Sequence, residues 1–177
     1  MKASMPPILH TDRLILRPHV IADSADEAAL WADPVVTRHI LPNPATPEES
    51  WSRLLRYIGH WQALGYGYWA VTDRQTGAFL GEAGLADYRR AVIPALTAPE
   101  TGWVLARAAH GRGLATEAVG AILSWADHHL PASGTCCIFD TAHAASIRVA
   151  QKLGYGQPMT ASYKGNPTLV LRRARRG

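Results

Sequence analysis

A polar turn carrying two glycines, His110-Gly111-Arg112-Gly113, separates the apolar run Trp103-Val104-Leu105-Ala106 from Leu114-Ala115-Thr116-Glu117-Ala118. The apolar run reads as a strand and the last stretch as the opening of a helix. That order can hold an anion. The amides of a helix's first turn have no intrahelical acceptor, and the helix dipole places positive potential in front of them. A glycine lets the backbone approach phosphate oxygens with no Cβ in the way. The Arg112 guanidinium and Thr116 hydroxyl could add contacts. The same residues would also serve as a plain strand-to-helix turn, with glycines chosen for geometry alone.

Two other phosphate loops can be compared with this one. No G-x-x-x-x-G-K-[ST] string occurs, so the turn is not a P-loop. A dinucleotide fingerprint needs a third glycine where Thr116 stands. Asp140 ends the following strand as a ribose-binding acid would, yet too little chain remains for the further β-α units. A nucleotide-dependent oxidoreductase is thereby disfavoured. No histidine spacing resembles a metal site, so no metal is expected; His128 and His129 suit the negative end of a helix. Cys136 and Cys137 are neighbours, point to opposite faces of a strand and suit no ordinary disulfide. They read as small buried hydrophobes, and their lack of a disulfide framework favours a reducing, cytoplasmic compartment.

The elements that must position the turn can be read from pattern. The chain's 177 residues, 47% of them hydrophobic, suit a single domain, with an ordered core from about residue 8 to 173. No apolar run is long enough for a membrane span, and no secretory leader is read at the N-terminus. Net charge is +4, matched in number by Arg172, Arg173, Arg175 and Arg176, so no nucleic-acid surface is read. Strands are expected at Leu14 to Leu16, Gly67 to Thr72, Ala78 to Ala86, Glu100 to Arg107, Thr135 to Asp140 and Thr168 to Arg172. Helices are expected at Asp23 to Ala32, from Thr46 as N-cap with Pro47 first, at Gly113 to Leu130 and at Ala144 to Leu153. Arg90 to Pro99 reads as a loop. Early hairpins followed by a late β-α-β unit imply a mixed α/β sheet with helices on both faces, the strands around 100–107 and 135–140 running parallel.

Five segments, in this order, resemble the GNAT superfamily of N-acetyltransferases, in the branch that includes ribosomal-protein N-terminal acetyltransferases. They are Thr11-Asp12-Arg13-Leu14-Ile15-Leu16-Arg17; the hairpin Gly67 to Val71 with Phe79 to Leu85; Glu100 to Leu105; Gly111 to Ala118; and Ala145 to Tyr155. The resemblance implies a mostly antiparallel central sheet in which the strands at 100–105 and 135–140 splay, with acetyl-coenzyme A as co-substrate in the gap. Backbone groups at Val104, Leu105 and Ala106 would hold the pantetheine arm. His110, Gly111, Arg112, Gly113, Leu114, Ala115 and Thr116 would meet the pyrophosphate. An amine acceptor would attack the thioester directly, leaving the protein to position, deprotonate and stabilise.

Within that frame Glu100 is the candidate general base and Glu82 a lesser one. Ser146 would contact the cofactor or protonate the leaving thiolate, or simply cap its helix. His143 stands where many members place Asn, as a cofactor contact or a base. Ala108 replaces the first side chain of the family's pyrophosphate loop, and Ala150 stands where many members carry a tyrosine acid; Tyr155 is an alternative acid or a core aromatic. Those departures keep alive a coenzyme A-binding sensor without catalysis. The acceptor could be a protein N-terminus, amino acid, polyamine or aminoglycoside, and the protein a monomer or homodimer.

Overall fold

A computed structural model describes residues 6–177. One nine-stranded sheet runs in the order β1-β2-β3-β4-β6-β7-β9-β8-β5. Its strands are β1 (Leu9–His10), β2 (Leu14–Arg17), β3 (Tyr68–Asp73), β4 (Phe79–Ala86), β5 (Val92–Ile93), β6 (Glu100–Leu105), β7 (Gly134–Asp140), β8 (Met159–Tyr163) and β9 (Asn166–Ala174). Every pairing is antiparallel except β6 with β7. One face is covered by α4 (Leu114–His129) and α5 (Ala144–Lys152), the other by α1 (Ser24–Ala32), α2 (Pro34–Thr37) and α3 (Pro47–Leu64). This is the expected mixed fold.

The long helix α3 forms where its end signals lie. Thr46 and Glu49 close a capping box, with the Thr46 amide donating to Glu49 Oε2 at 2.7 Å and the Glu49 amide to Thr46 Oγ1 at 3.2 Å. Gly65 takes the left-handed conformation that ends it. Trp61 then ties α3 to the sheet, donating from Nε1 to the Tyr68 carbonyl at 2.9 Å. The larger core lies under α4 and α5, where Trp69, Val71, Leu85, Val119 and Ile122 are fully buried.

Short elements escaped the pattern. Asp33-Pro34 does stop α1, but Asp33 also caps α2, accepting from the Val35 amide at 2.8 Å. The 90–99 loop contains β5, and the chain before the last strand forms β8, whose Met159-Thr160-Ala161-Ser162-Tyr163 has weak apolar alternation. The strand at 100 stops at Leu105, and Arg107–Ala109 forms one 3₁₀ turn. A buried ion pair joins the end of α4 to β9: Arg173 donates to both Asp127 oxygens, at 2.9 and 2.6 Å.

Gly84 shows how closely the hairpin is built. A Cβ there would collide with the backbone of Tyr68 and Gly67 on the neighbouring strand, which no rotamer change relieves. Gly84→Ala should destabilise the fold by about 1–3 kcal/mol. Calorimetric melting checks this, and a variant melting with the parent would contradict it.

Candidate active site

β6 and β7 are in register at one residue pair, Glu100 with Cys136, where the Cys136 amide donates to the Pro99 carbonyl at 3.0 Å. Beyond it β6 stays bound to β4 as far as Leu105, and β7 to β9 along its whole length. The two strands therefore part, each held from its outer side. Backbone groups alternate along a strand. The Ala106 amide donates to the Leu80 carbonyl at 2.8 Å, so Val104 and Ala106 present their backbone groups to β4. Of the three residues named for the pantetheine arm, only Leu105 faces the gap; Trp103, and Thr101 at the vertex, are the other residues of β6 on that side. The Leu105 carbonyl is bonded to His110 Nε2 at 2.7 Å, which places that ring's proton on Nε2.

β6 leads into the glycine turn. Gly111 and Gly113 have φ of 72° and 75°, the left-handed region glycine tolerates. The first α4 amide with an intrahelical acceptor is that of Glu117, on the Gly113 carbonyl at 3.1 Å. The amides of Leu114, Ala115 and Thr116 precede it and have no intrahelical partner. Nothing lies within 4 Å of the Cβ position of Gly111, and Arg112 is exposed beside it. The turn is strapped to the β1–β2 hairpin. Glu117 accepts from the Thr11 hydroxyl at 2.6 Å and from the Arg13 amide and Nε at 2.9 and 2.7 Å, while Arg13 Nη1 donates to the Arg112 carbonyl at 2.9 Å. Burial pushes the Glu117 carboxyl up, but the Thr11 and Arg13 hydrogen bonds outweigh it and hold the pKa below the usual value.

At the far arm of the gap, Ser146 Oγ and His143 Nε2 lie 3.0 Å apart. Ser146 sits inside the first turn of α5 with its hydroxyl on His143, whereas the N-cap position is His143 itself. The His143 ring stacks on His39 at 4.7 Å and meets Phe139 edge-on at 6.3 Å. Burial lowers its pKa to about 4; His39, Arg38 and His110 add to the fall and Asp140 opposes it. Such an imidazole is neutral at pH 7 and a weak base, which suits a hydrogen-bonding contact better than proton abstraction.

The acids lie on the α3 face. Both Glu100 oxygens are occupied by Arg90, from Nε at 2.7 Å and Nη2 at 3.1 Å, and Arg90 also donates to the Tyr163 hydroxyl at 3.2 Å. Glu82 is fully buried and accepts from the Tyr57 hydroxyl. It adjoins Glu27, whose pKa burial and the Glu82 charge push up to about 10, so that Glu27 stays protonated at pH 7. Tyr155 packs in the core, donating to Thr101 Oγ1 at 2.8 Å with Thr135 Oγ1 at 2.7 Å, and Ala150 is fully buried. No tyrosine hydroxyl therefore reaches the gap from either position. Cys136 and Cys137 are free and buried, and burial raises the Cys136 thiol to about 11. Among the described residues no cluster suits a metal ion, and no helix is long and apolar enough to cross a membrane.

The sequence profile described as "Acetyltransferase (GNAT) domain" matches residues 13–156, most of the chain and the whole of the parted strand pair. The chain belongs to the GNAT acetyltransferase family. Relatives include an uncharacterized N-acetyltransferase, YoaA, of Bacillus subtilis (strain 168), 29% identical over 85% of this chain and 84% of that protein. YkkB, an uncharacterized protein of the same strain, is 33% identical over 62% of this chain, and the match spans 63% of YkkB's length, less than two thirds of it. A putative GNAT-family acetyltransferase structure from Bordetella pertussis superposes with a TM-score of 0.81 and 29% identity, covering 96% of this chain and 100% of that one. Membership carries acyl transfer as the chemistry; it does not name the acceptor.

Thr11, Arg13 and Glu117 all lie in segments quoted from the sequence, but their contact is not readable there. Glu117 offered only the signal of an acid in a helix's first turn, and its partners lie more than a hundred positions earlier. The His39–His143 stack was equally out of reach. His143 should titrate with a midpoint near 4 when followed by NMR, and His39→Asn should raise that midpoint. A buried neutral histidine contributes its stability fully above the ordinary value of about 6.5 and loses it as pH falls toward the folded pKa. A midpoint at about 6.5 in the parent would contradict this reading.

Proposed function

We propose that the protein transfers an acetyl group from acetyl-coenzyme A to a primary amine by direct attack. The observation that carries the reading is the parted β6–β7 pair, which ends at a glycine turn whose amides lead into α4. Trp103 and Leu105 would pair with the pantetheine arm as a missing strand would. The amides from Gly111 to Thr116, with Arg112, would receive the pyrophosphate. Ser146, oriented by His143, would meet the cofactor from the far arm.

In the reaction the amine nitrogen forms a bond to the thioester carbonyl carbon, the carbon–sulfur bond breaks, and the thiolate departs. A thiol with a pKa of about 8.5 is a good leaving group, so loss of the tyrosine acid at Ala150 does not forbid turnover. The ammonium must first shed a proton. Glu100, at the vertex of the gap, keeps a second lone pair on each oxygen beyond those given to Arg90 and is the carboxylate assigned to that step. The sealed Tyr155 and the apolar Ala150 favour a second reading, a coenzyme A-binding sensor. It predicts binding without turnover.

Two measurements test the proposal. Gly113→Val forces a branched residue into left-handed backbone beside the phosphate turn and should weaken acetyl-coenzyme A binding at least about tenfold in calorimetry. Equal affinity in a folded variant would refute the phosphate role. Release of coenzyme A with a panel of amines distinguishes enzyme from sensor. Glu100→Gln should lower kcat/KM by roughly 10²–10⁴ at pH 7, with the deficit shrinking toward pH 10 as free amine becomes abundant. An unchanged pH profile would leave Glu100 a structural partner of Arg90.

A further inference from the structure

A cavity of about 300 Å³ lies between α3 and the segment that precedes it. Leu41 and Ala45 form one wall, and Glu48, Glu49, Ser52, Arg53 and Arg56 the other. Ala45 belongs to the same apolar cluster as Val104, and Leu41 and Ala106 pack against it. The wall of the cavity is thus continuous with the end of β6, where the thioester gap opens. His39, on the same segment, reaches His143 on the other arm.

The two arginines differ from the other buried or clustered ones in this protein. Arg13, Arg17, Arg90, Arg107 and Arg173 each have a carboxylate within ion-pair distance. In the smaller cavity nearby, of about 170 Å³, Arg107 is already paired with Asp33 at 2.7 Å. Among the described residues neither Arg53 nor Arg56 has such a partner. Both instead lie over aromatic rings. Arg53 Cζ is 3.6 Å from the centre of the Trp31 ring, which is 2% exposed, and Arg56 Cζ is 5.0 Å from that of Tyr88. A guanidinium stacked by its face keeps its N–H edge free and already oriented for a planar oxyanion. Arg53 Nε is buried and without a hydrogen-bond partner. Two acids of the same helix, Glu48 and Glu49, line this cavity one to two turns before the arginines. Glu49 is occupied by its cap on Thr46, and Glu48 stands on the rim, two turns before Arg56.

We infer that this cavity takes the anionic group of the acceptor, so that the substrate is an amine that also carries a carboxylate, such as an amino acid or a peptide. The inference rests on the acetyl-transfer reading above and narrows its acceptor. The carboxylate forms paired hydrogen bonds with Arg53 and Arg56. The ammonium end lies toward Glu48 and the Leu41–Ala45 wall, on the side that borders β6. A polyamine or aminoglycoside would bring further positive charge against two unpaired guanidinium groups.

The test compares L-lysine and L-lysyl-L-alanine with their C-terminal amides, and with spermidine, as acceptors. The carboxylate member of each pair should be preferred by about 10- to 100-fold in kcat/KM, and Arg56→Gln should reduce that ratio toward one. Arg56 is exposed, so its variant should fold; Arg53→Met, which loses the stack on Trp31, serves as the second variant. Acetylation with no preference for the carboxylate, or a ratio unchanged in Arg56→Gln, overturns the inference and leaves acetyl transfer standing. Absence of any acetylation overturns the acetyl-transfer reading instead. In that event thermal shift with N-acetyl-lysine against its amide still reads the cavity: stabilisation by the acid alone, lost in Arg56→Gln, supports the anion site, and equal shifts refute it.

Discussion

One constraint organises this molecule: β6 and β7 pair at a single residue and then separate inside an otherwise continuous sheet. Unpaired backbone groups in a sheet interior are unfavourable unless something else satisfies them. The strands cannot close the gap, because β4 grips β6 and β7 is locked to β9 along seven residues. Near the vertex Tyr155 links Thr101 on β6 to Thr135 on β7, so this aromatic fixes the spacing of the arms. The opening is therefore built into the pairing of the outer strands and does not depend on a bound molecule to hold it open.

Around the gap the charges are segregated by face. Toward α4 the groups are positive: the first-turn amides and Arg112, with Glu117 turned away to bind Thr11 and Arg13. Toward α3 lie the acids, and nearly all are committed. Glu100 is held by Arg90, Glu82 by Tyr57, and Glu27 is neutral beside it. The α3 face thus spends its carboxylates on internal partners while leaving Arg53 and Arg56 unpaired. On the proposed reading, that imbalance is what would let the cavity accept a carboxylate although two glutamates also line it.

His143 replaces an amide side chain with a ring whose stacking on His39 and burial keep it neutral. A neutral ring can fix the Ser146 hydroxyl without adding a charge beside the gap. Under the proposed transfer, Ala150 would remove an acid where the leaving group is a thiolate, which needs one least.

Much of this was legible in the residues themselves. The capping box at Thr46 and Glu49, the helical spacing along α3, and the strand–glycine–helix order at 103–118 are local patterns, and local hydrogen bonding enforces them whatever the tertiary context. The parallel crossover between β6 and β7 followed from a helix lying between two strands. Tertiary structure alone decided the rest. Which backbone groups face the gap depends on register with β4, and that keeps Leu105 of the three expected residues, turns Val104 and Ala106 away and adds Trp103. Whether a carboxylate is free depends on partners distant in sequence: Arg13 for Glu117, Tyr57 for Glu82. The same holds for Arg53 and Arg56, which look like solvated helix residues until Trp31 and Tyr88 are brought against them. Residue type and spacing determine which groups a chain has to spend; contacts made only on folding determine which of them remain unspent.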